Sequence, residues 1–403
     1  MKREQIPLYL TGAAAAATAV SVAAFEILMG LALLAVLVTP ECRRRWRWPP
    51  ILLPFLFWVS LTAASVLASE HALSSFSQLK KFYVYLMLFL VYAVIRRAKE
   101  IQWLAIVWVA ATAASAAWSG VQLSGSFSGY AEYINARATG FMGHWMTFGG
   151  EMMMALLLIA AFALLSSRRS WPRGVSMGVF VLAGSLVTFG LLASYTRSMW
   201  LGALVGSVYV VWIWRRWMVL LIPVAASLIL LANPLDVRQR AISAFRPQGD
   251  MDSNQFRVVA REIGWEMIKA HPWLGVGPGQ VGPQHEQYIP ASVSRPLPSG
   301  FYGHLHNVYI HYAAERGVPA LLALLWLIGK ALADFLRWLW RATADDELRW
   351  ILHAAVAITL AVMVSGWYEL NLSDSEVLGM FLAVMGCGYS ALALSPAPRA
   401  DKP

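Results

Sequence analysis

Three of the chain's eight histidines fall within eight residues, in the run Gly303-His304-Leu305-His306-Asn307-Val308-Tyr309-Ile310-His311. Imidazole changes charge near neutral pH, so such a cluster suits general base chemistry. If the run is helical, His304, Asn307 and His311 share a face; if it is extended, His304 and His306 do. The plainer alternative is a helix start that spends polar residues on capping. A His-x-His pair also suits a metal, but the sequence places no third ligand beside it, so no metal or other cofactor is expected. Arg257 and Arg261 lie four residues apart and project from one side of a helix. Two guanidiniums one turn apart suit a diphosphate, because each donates paired hydrogen bonds to phosphate oxygens. Ion pairing with Glu262 or Glu266 would explain the same spacing. Arg197, in Ala193-Ser194-Tyr195-Thr196-Arg197-Ser198-Met199-Trp200, is a lone cation between two apolar stretches. A cation near hydrocarbon is costly and marks a functional site by default. Its plainer reading is a snorkelling side chain on lipid phosphate.

Smaller features complete the set. Glu369, Asn371, Ser373, Asp374 and Glu376 form a polar loop whose acids would orient a histidine or a substrate hydroxyl, with a solvated loop as the bland reading. Arg137 and His144 would line the same cavity. Leu274-Gly275-Val276-Gly277-Pro278-Gly279 is a tight turn or an anion-binding nest, not a dinucleotide fingerprint, since no strand–turn–helix unit surrounds it.

The elements that must position these residues are apolar. Of 403 residues, 59% are hydrophobic and only 13% charged, with a mean hydropathy of +0.57. Soluble domains carry about a quarter charged residues. A bilayer accommodates this surface in spans of about 20 apolar residues, and the 19 Trp suit its interfaces. The hydropathy predicts an all-α polytopic membrane protein of about 12 transmembrane helices, near 7–22, 24–39, 51–69, 79–95, 101–120, 147–166, 174–193, 199–214, 217–232, 318–340, 350–370 and 377–396. The start is read as a first pair of spans rather than a signal peptide. Two cysteines, Cys42 and Cys387, provide no disulfide framework or zinc spacing. No internal repeat is visible.

Sorted by loop, the net charge of +10 points to orientation rather than to nucleic acid. Arg43, Arg44, Arg45, Arg47, Arg96, Arg97, Lys99, Arg168, Arg169, Arg173, Arg215, Arg216, Arg341 and Arg349 all fall on one side, which the positive-inside rule makes cytoplasmic, with both termini. The organisation is then 1–232 with nine spans, 233–317 as one outer loop, and 318–403 with three spans and a short tail. A loop of about 85 residues far exceeds an ordinary connection and usually carries function. Within it, Asp252 or Ser253 would cap a helix that Pro272 ends. Phe256, Val259, Ala260, Ile263, Met267 and Ala270 would form its apolar face. Gly174/Gly178 and Gly202/Gly206 have helix-packing spacing.

The residues resemble the O-antigen ligase family, within the O-antigen polymerase and ligase superfamily. Thr196-Arg197-Ser198 with Trp200 and Gly202 is similar to its arginine motif at a periplasmic helix end. Arg257 and Arg261 before Trp265 resemble its loop arginines. His306-Asn307, with Gly317 ten residues after Asn307, resembles its His-Asn…Gly motif. Ala320 stands where a glycine is usual, a departure that touches local packing. The resemblance implies a fold like that of GT-C-type glycosyltransferases in the Gram-negative inner membrane, with the site facing the periplasm. It implies transfer of O-antigen polysaccharide from undecaprenyl diphosphate to a sugar hydroxyl of lipid A–core, by a metal-independent, inverting displacement. His306 would be the base, with His304 as its substitute. Arg197, Arg257 and Arg261 would hold the diphosphate, and Asn307, His311, Asp374 and Arg137 would touch substrate. Membrane lipids surround the protein, and no nucleic acid is involved. The alternative is a polymerase, which would share the donor but accept onto another lipid-linked repeat unit. A lipid-linked oligosaccharide transporter would show paired half-sequence symmetry and polar groups at mid-membrane, and neither is visible.

Overall fold

The computed structural model describes residues 3–44, 46–124, 132, 135–167, 171, 176–244, 253–341 and 347–395. Arg45, Arg168, Arg169, Arg173, Gly174 and Asp252 lie outside them. The described residues form helices and no strands. Helices of nine or more residues are α1 (Ile6–Thr18), α2 (Val22–Val38), α3 (Leu52–Ala68), α4 (Leu86–Val94), α5 (Ala98–Gln122), α6 (Trp145–Leu165) and α7 (Met177–Ala193). There follow α8 (Arg197–Trp214), α9 (Leu221–Ala232), α10 (Ser253–Ala270), α11 (Val308–Arg316), α12 (Val318–Arg341), α13 (Arg349–Ser365) and α14 (Ser375–Leu394).

Each of the apolar stretches read from hydropathy holds a helix. The first two are separated after Thr18, where Ser21 accepts the Ala24 N–H at 3.4 Å and starts α2. Two stretches are not uniform: 3₁₀ turns at Ser77–Tyr85 and Arg216–Leu220 precede α4 and α9. Helices α5, α6, α8, α12 and α14 are long and apolar enough to cross a membrane; α1, α2, α3, α7 and α13 are shorter apolar helices. Helix α9 buries none of its side chains although it is almost wholly apolar. An unburied helix that is apolar all round has lipid, not water, as its solvent. These helices are those of a membrane-integral protein.

Small residues set the central contacts. Helix α8 packs on α6 and α13. A Cβ on Gly202 would lie 2.7 Å from the Ala361 carbonyl oxygen, and one on Gly206 would lie 3.1 Å from that of Ala357. The spacing read from the sequence thus lets two backbones touch.

The 233–317 segment is folded onto these helices. Arg216–Ala232 and Pro234–Ile242 meet at 106°, with Asn233, Leu235 and Asp236 at positive φ. The bend returns the chain beneath α8, where Arg240 Nε donates to the Tyr195 carbonyl at 2.9 Å. Helix α10 is amphipathic as its spacing predicts: Phe256, Val259, Ala260, Ile263 and Met267 are buried, while Ala270 is exposed. It packs on α11 over a second small core that includes Val276, Val281, Leu305 and Ala313. The Asn307 side chain caps α11 by accepting the Ile310 N–H at 2.9 Å.

Gly317 ends α11 at φ 86° and ψ 159°, a region that is essentially glycine-only. A Cβ there would lie 2.1 Å from the Trp273 carbonyl oxygen. Gly317→Ala is therefore expected to destabilise by roughly 2–6 kcal/mol, combining a backbone penalty of ~1–3 with an overpacking penalty of ~1–3. Thermal melting of the two proteins in the same detergent checks this, and equal midpoints would refute the account.

Candidate active site

The approach of α10 and the 304–308 turn to the loop between α13 and α14 builds the site. Glu369 sits in that loop and is 3% exposed. Arg257, on α10, donates from one terminal guanidinium nitrogen to Glu369 Oε1. Glu369 Oε2 lies 3.5 Å from His306 Nδ1. One turn along α10, Arg261 donates to the Trp367 carbonyl at 3.2 Å and lies over the Tyr368 ring at 5.5 Å. Asn307 Nδ2 donates to the same carbonyl at 2.9 Å, and the Val308 N–H donates to the Gly366 carbonyl at 2.8 Å. The two arginines therefore do share a face, and that face meets residues 366–369. The local partner Glu266 binds Lys269 instead.

The histidine run is a non-helical turn up to Asn307, and α11 begins at Val308; the turn brings His304 and His306 together, the pairing expected of the extended alternative. The rings of His304 and His306 lie 4.0 Å apart. His306 has φ 49°, rare for a residue with a Cβ, and its backbone N–H donates to His304 Nδ1 at 3.3 Å. An accepting Nδ1 carries no proton. Consistently, burial, helped by His306 and His311, lowers His304 to about 3. His306 has a different environment. Its Nε2 lies 3.1 Å from the Phe301 carbonyl oxygen while its Nδ1 faces Glu369. Both neighbours are acceptors, and a neutral imidazole has only one N–H to offer. Glu369 thus stands as a counter-charge beside Nδ1 of that ring.

Burial alone would raise Glu369, but the Arg257 guanidinium, together with His306 and His304, more than reverses this and holds it below the usual glutamate range. Burial and the Arg257 charge lower Arg261. Four buried polar atoms here have no hydrogen-bond partner: Arg257 Nε, Arg261 Nε, His306 Nδ1 and Glu369 Oε2. Native proteins leave few such groups unpaired, and each asks for an explanation.

The remaining candidates surround this cluster. Arg197 opens α8 and donates to Ser243 Oγ at 3.0 Å and to Asn254 Oδ1 at 2.7 Å. Asn254 precedes Arg257 on α10 by three residues, so Arg197 grips the same helix one turn earlier. His311 lies 3.6 Å from buried Glu315. Glu315 also accepts the Gly279 N–H at 2.6 Å and meets Arg316 Nε at 3.0 Å. The glycine-rich turn does bind an anion, and that anion is the chain's own carboxylate. Asp374 accepts from Thr147 Oγ1 at 3.0 Å, and burial, opposed by that bond, raises it to about 6. Arg137 lies over the Trp145 ring at 4.9 Å, beside His144, which burial lowers, Glu369 opposing and Arg137 adding to the shift. Among the described residues, no three His, Cys, Asp or Glu side chains converge as metal ligands.

Residues 180–325 match the family model described as O-antigen ligase. Over this region the chain is similar to the O-antigen ligase family. The matched O-antigen ligase region contains Arg197, Arg257, Arg261, the histidine run and Gly317. Glu369, Asp374 and Arg137 lie outside it, and the fold brings Glu369 to the matched residues. The match supports a glycosyl-transfer-type enzyme of O-antigen and lipopolysaccharide synthesis. No curated protein matches the chain.

Proposed function

We propose that this protein transfers O-antigen polysaccharide from undecaprenyl diphosphate to a sugar hydroxyl of lipid A–core, on the periplasmic side of the Gram-negative inner membrane. The reading includes twelve crossings with both termini cytoplasmic, nine in residues 1–232, the catalytic loop in 233–317 and three crossings in 318–403. The observation that carries it is the pair of buried Nε–H groups on Arg257 and Arg261, unpartnered and one turn apart. Glu369 balances one of the two charges, and a diphosphate would balance the other while offering oxygens to both Nε–H groups. Arg197 steadies the same helix face and adds a third guanidinium.

In the reaction, His306, with its single proton on Nδ1 toward Glu369, accepts the proton of the acceptor hydroxyl at Nε2 once that hydroxyl replaces the Phe301 carbonyl there. The hydroxyl oxygen attacks the anomeric carbon as the bond to the diphosphate oxygen breaks. The electron pair leaves with the diphosphate, whose growing charge the arginines stabilise in a poorly solvated site. A single displacement of this kind inverts the anomeric centre and uses no metal. Glu369 holds the His306 imidazolium, and His304 fixes the turn that aims it. Asn307 ties the turn to the 366–369 segment, while His311, Asp374 and Arg137 bound the space for sugar.

The test is lipopolysaccharide from a strain lacking the gene, run beside an assay of lipid-linked polymer. Loss of the O-antigen ladder with accumulation of long undecaprenyl-linked polymer is expected. Core bearing a single repeat unit would make the protein a polymerase instead. A normal ladder would refute both.

A further inference from the structure

Helices α5, α6 and α7 enclose a groove of about 260 Å³ that none of the chemistry above uses. A single water needs only about 10–15 Å³. The lining is apolar, with Ala105, Ala110, Ala113 and Ala183 keeping it open between larger side chains. Ile106 and Ala110 on α5 and Val179 and Leu182 on α7 line it and are exposed, so it opens sideways, toward the bilayer.

One polar side chain breaks this lining. Gln102 lies at the end of the groove nearest the start of α5, is 5% exposed, and its Nε2 has no hydrogen-bond partner. An unpaired amide buried among hydrocarbon groups is costly, so the groove is shaped for an occupant that brings an acceptor to that depth. Gln102 is one turn inside α5, whose first residues are flanked by Arg96, Arg97 and Lys99 against the single acid Glu100. Arg97 and Lys99 are exposed. The start of α7 faces the same end, since Val179 and Phe180 line the groove. Two helix N-termini and an excess of cations favour an anion there.

A hydrocarbon chain, an acceptor at its head and an anion one helical turn further out describe one class of molecule. We propose that this groove binds a glycerophospholipid of the surrounding bilayer, with an acyl chain among α5, α6 and α7, an ester carbonyl on Gln102 Nε2, and the phosphate at the cationic start of α5. A polyprenyl diphosphate fits less well, because its hydrocarbon carries no carbonyl at the depth of Gln102. The site is separate from the glycosyl-transfer reading and stands if that reading fails.

The full-length protein, purified in mild detergent and washed, would be analysed for bound lipid by phosphorus content and mass spectrometry. The wild-type chain is expected to retain about one glycerophospholipid. Gln102→Leu keeps the volume and removes the donor, and should retain about fivefold less, the size of one hydrogen bond to a buried group. Ala110→Trp fills the groove from a position exposed at its mouth, and should retain none. It keeps the test alive if the first variant fails to fold. Wild-type phosphorus at background, equal retention in a folded variant, or a polyprenyl lipid in place of the phospholipid would each overturn the proposal.

Discussion

Replacing Glu369 with alanine is expected to lower turnover by roughly 10²–10⁴-fold, the range of a disabled general base, and to destabilise the protein as well. The carboxylate has two duties: it neutralises Arg257 and it faces His306 Nδ1. With it gone, a guanidinium stays buried without a counter-charge, which typically costs about 3–5 kcal/mol. The imidazolium formed during transfer loses its support in the same stroke. Glu369→Gln separates the two effects. Its carbonyl still accepts from Arg257, so it should fold better than the alanine variant, yet it lacks the charge that the protonated ring requires. The stability from Glu369 has a defined direction in pH. Its folded-state affinity for protons is depressed below the ordinary value of 4.5. The contribution is therefore full above that value and is lost as pH falls through the lower folded one. Purified enzyme assayed for transfer and melted at several pH values reads all of this. Wild-type turnover in Glu369→Ala would remove Glu369 from the mechanism.

The second large effect belongs to His306. His306→Asn should reduce transfer by about 10²–10⁴-fold with little change in melting. Asparagine tolerates the left-handed backbone that φ 49° demands, so the turn keeps its shape while the proposed base disappears. His304→Gln provides the contrast. His304 already spends Nδ1 on the backbone of His306, so its loss should loosen the turn and slow transfer less. If His304→Gln is the more damaging change, the roles are reversed.

Much of this architecture was legible in the sequence because it rests on local periodicity. Apolar runs gave the helix positions, Gly202 and Gly206 gave a close helix contact, and the four-residue spacing of Arg257 and Arg261 gave a shared face. The histidine run carried two alternatives, and the cap at Asn307 decided between them by starting the helix after His304 and His306. What could not be read was which acid meets these groups. Six polar residues lie from 369 to 376, and Asp374 rather than Glu369 is assigned to substrate from the sequence. The choice is made by how α10 docks on the end of α13, across 112 residues of chain, and no spacing rule encodes that distance. The same applies to Thr147 on Asp374, separated by 227 residues. The 3₁₀ turns before α4 and α9 were also invisible, since hydropathy measures apolarity and not the pitch of the backbone.

Helix α11 is fastened at both ends to parts of the chain far from it. At its start, Val308 and Asn307 bind the carbonyls of Gly366 and Trp367. At its end, Ser65 Oγ on α3 donates to the Glu315 carbonyl at 3.3 Å, and Ser69 Oγ donates to the Val276 carbonyl at 3.3 Å. The 233–317 segment is therefore not a portable module. A chimera that imports it from a similar protein must bring the matching 366–369 turn and the Ser65–Ser69 end of α3 with it. The unit on which such exchange acts is a three-part assembly scattered along the sequence, so acceptor preference should travel with all three parts together or not at all.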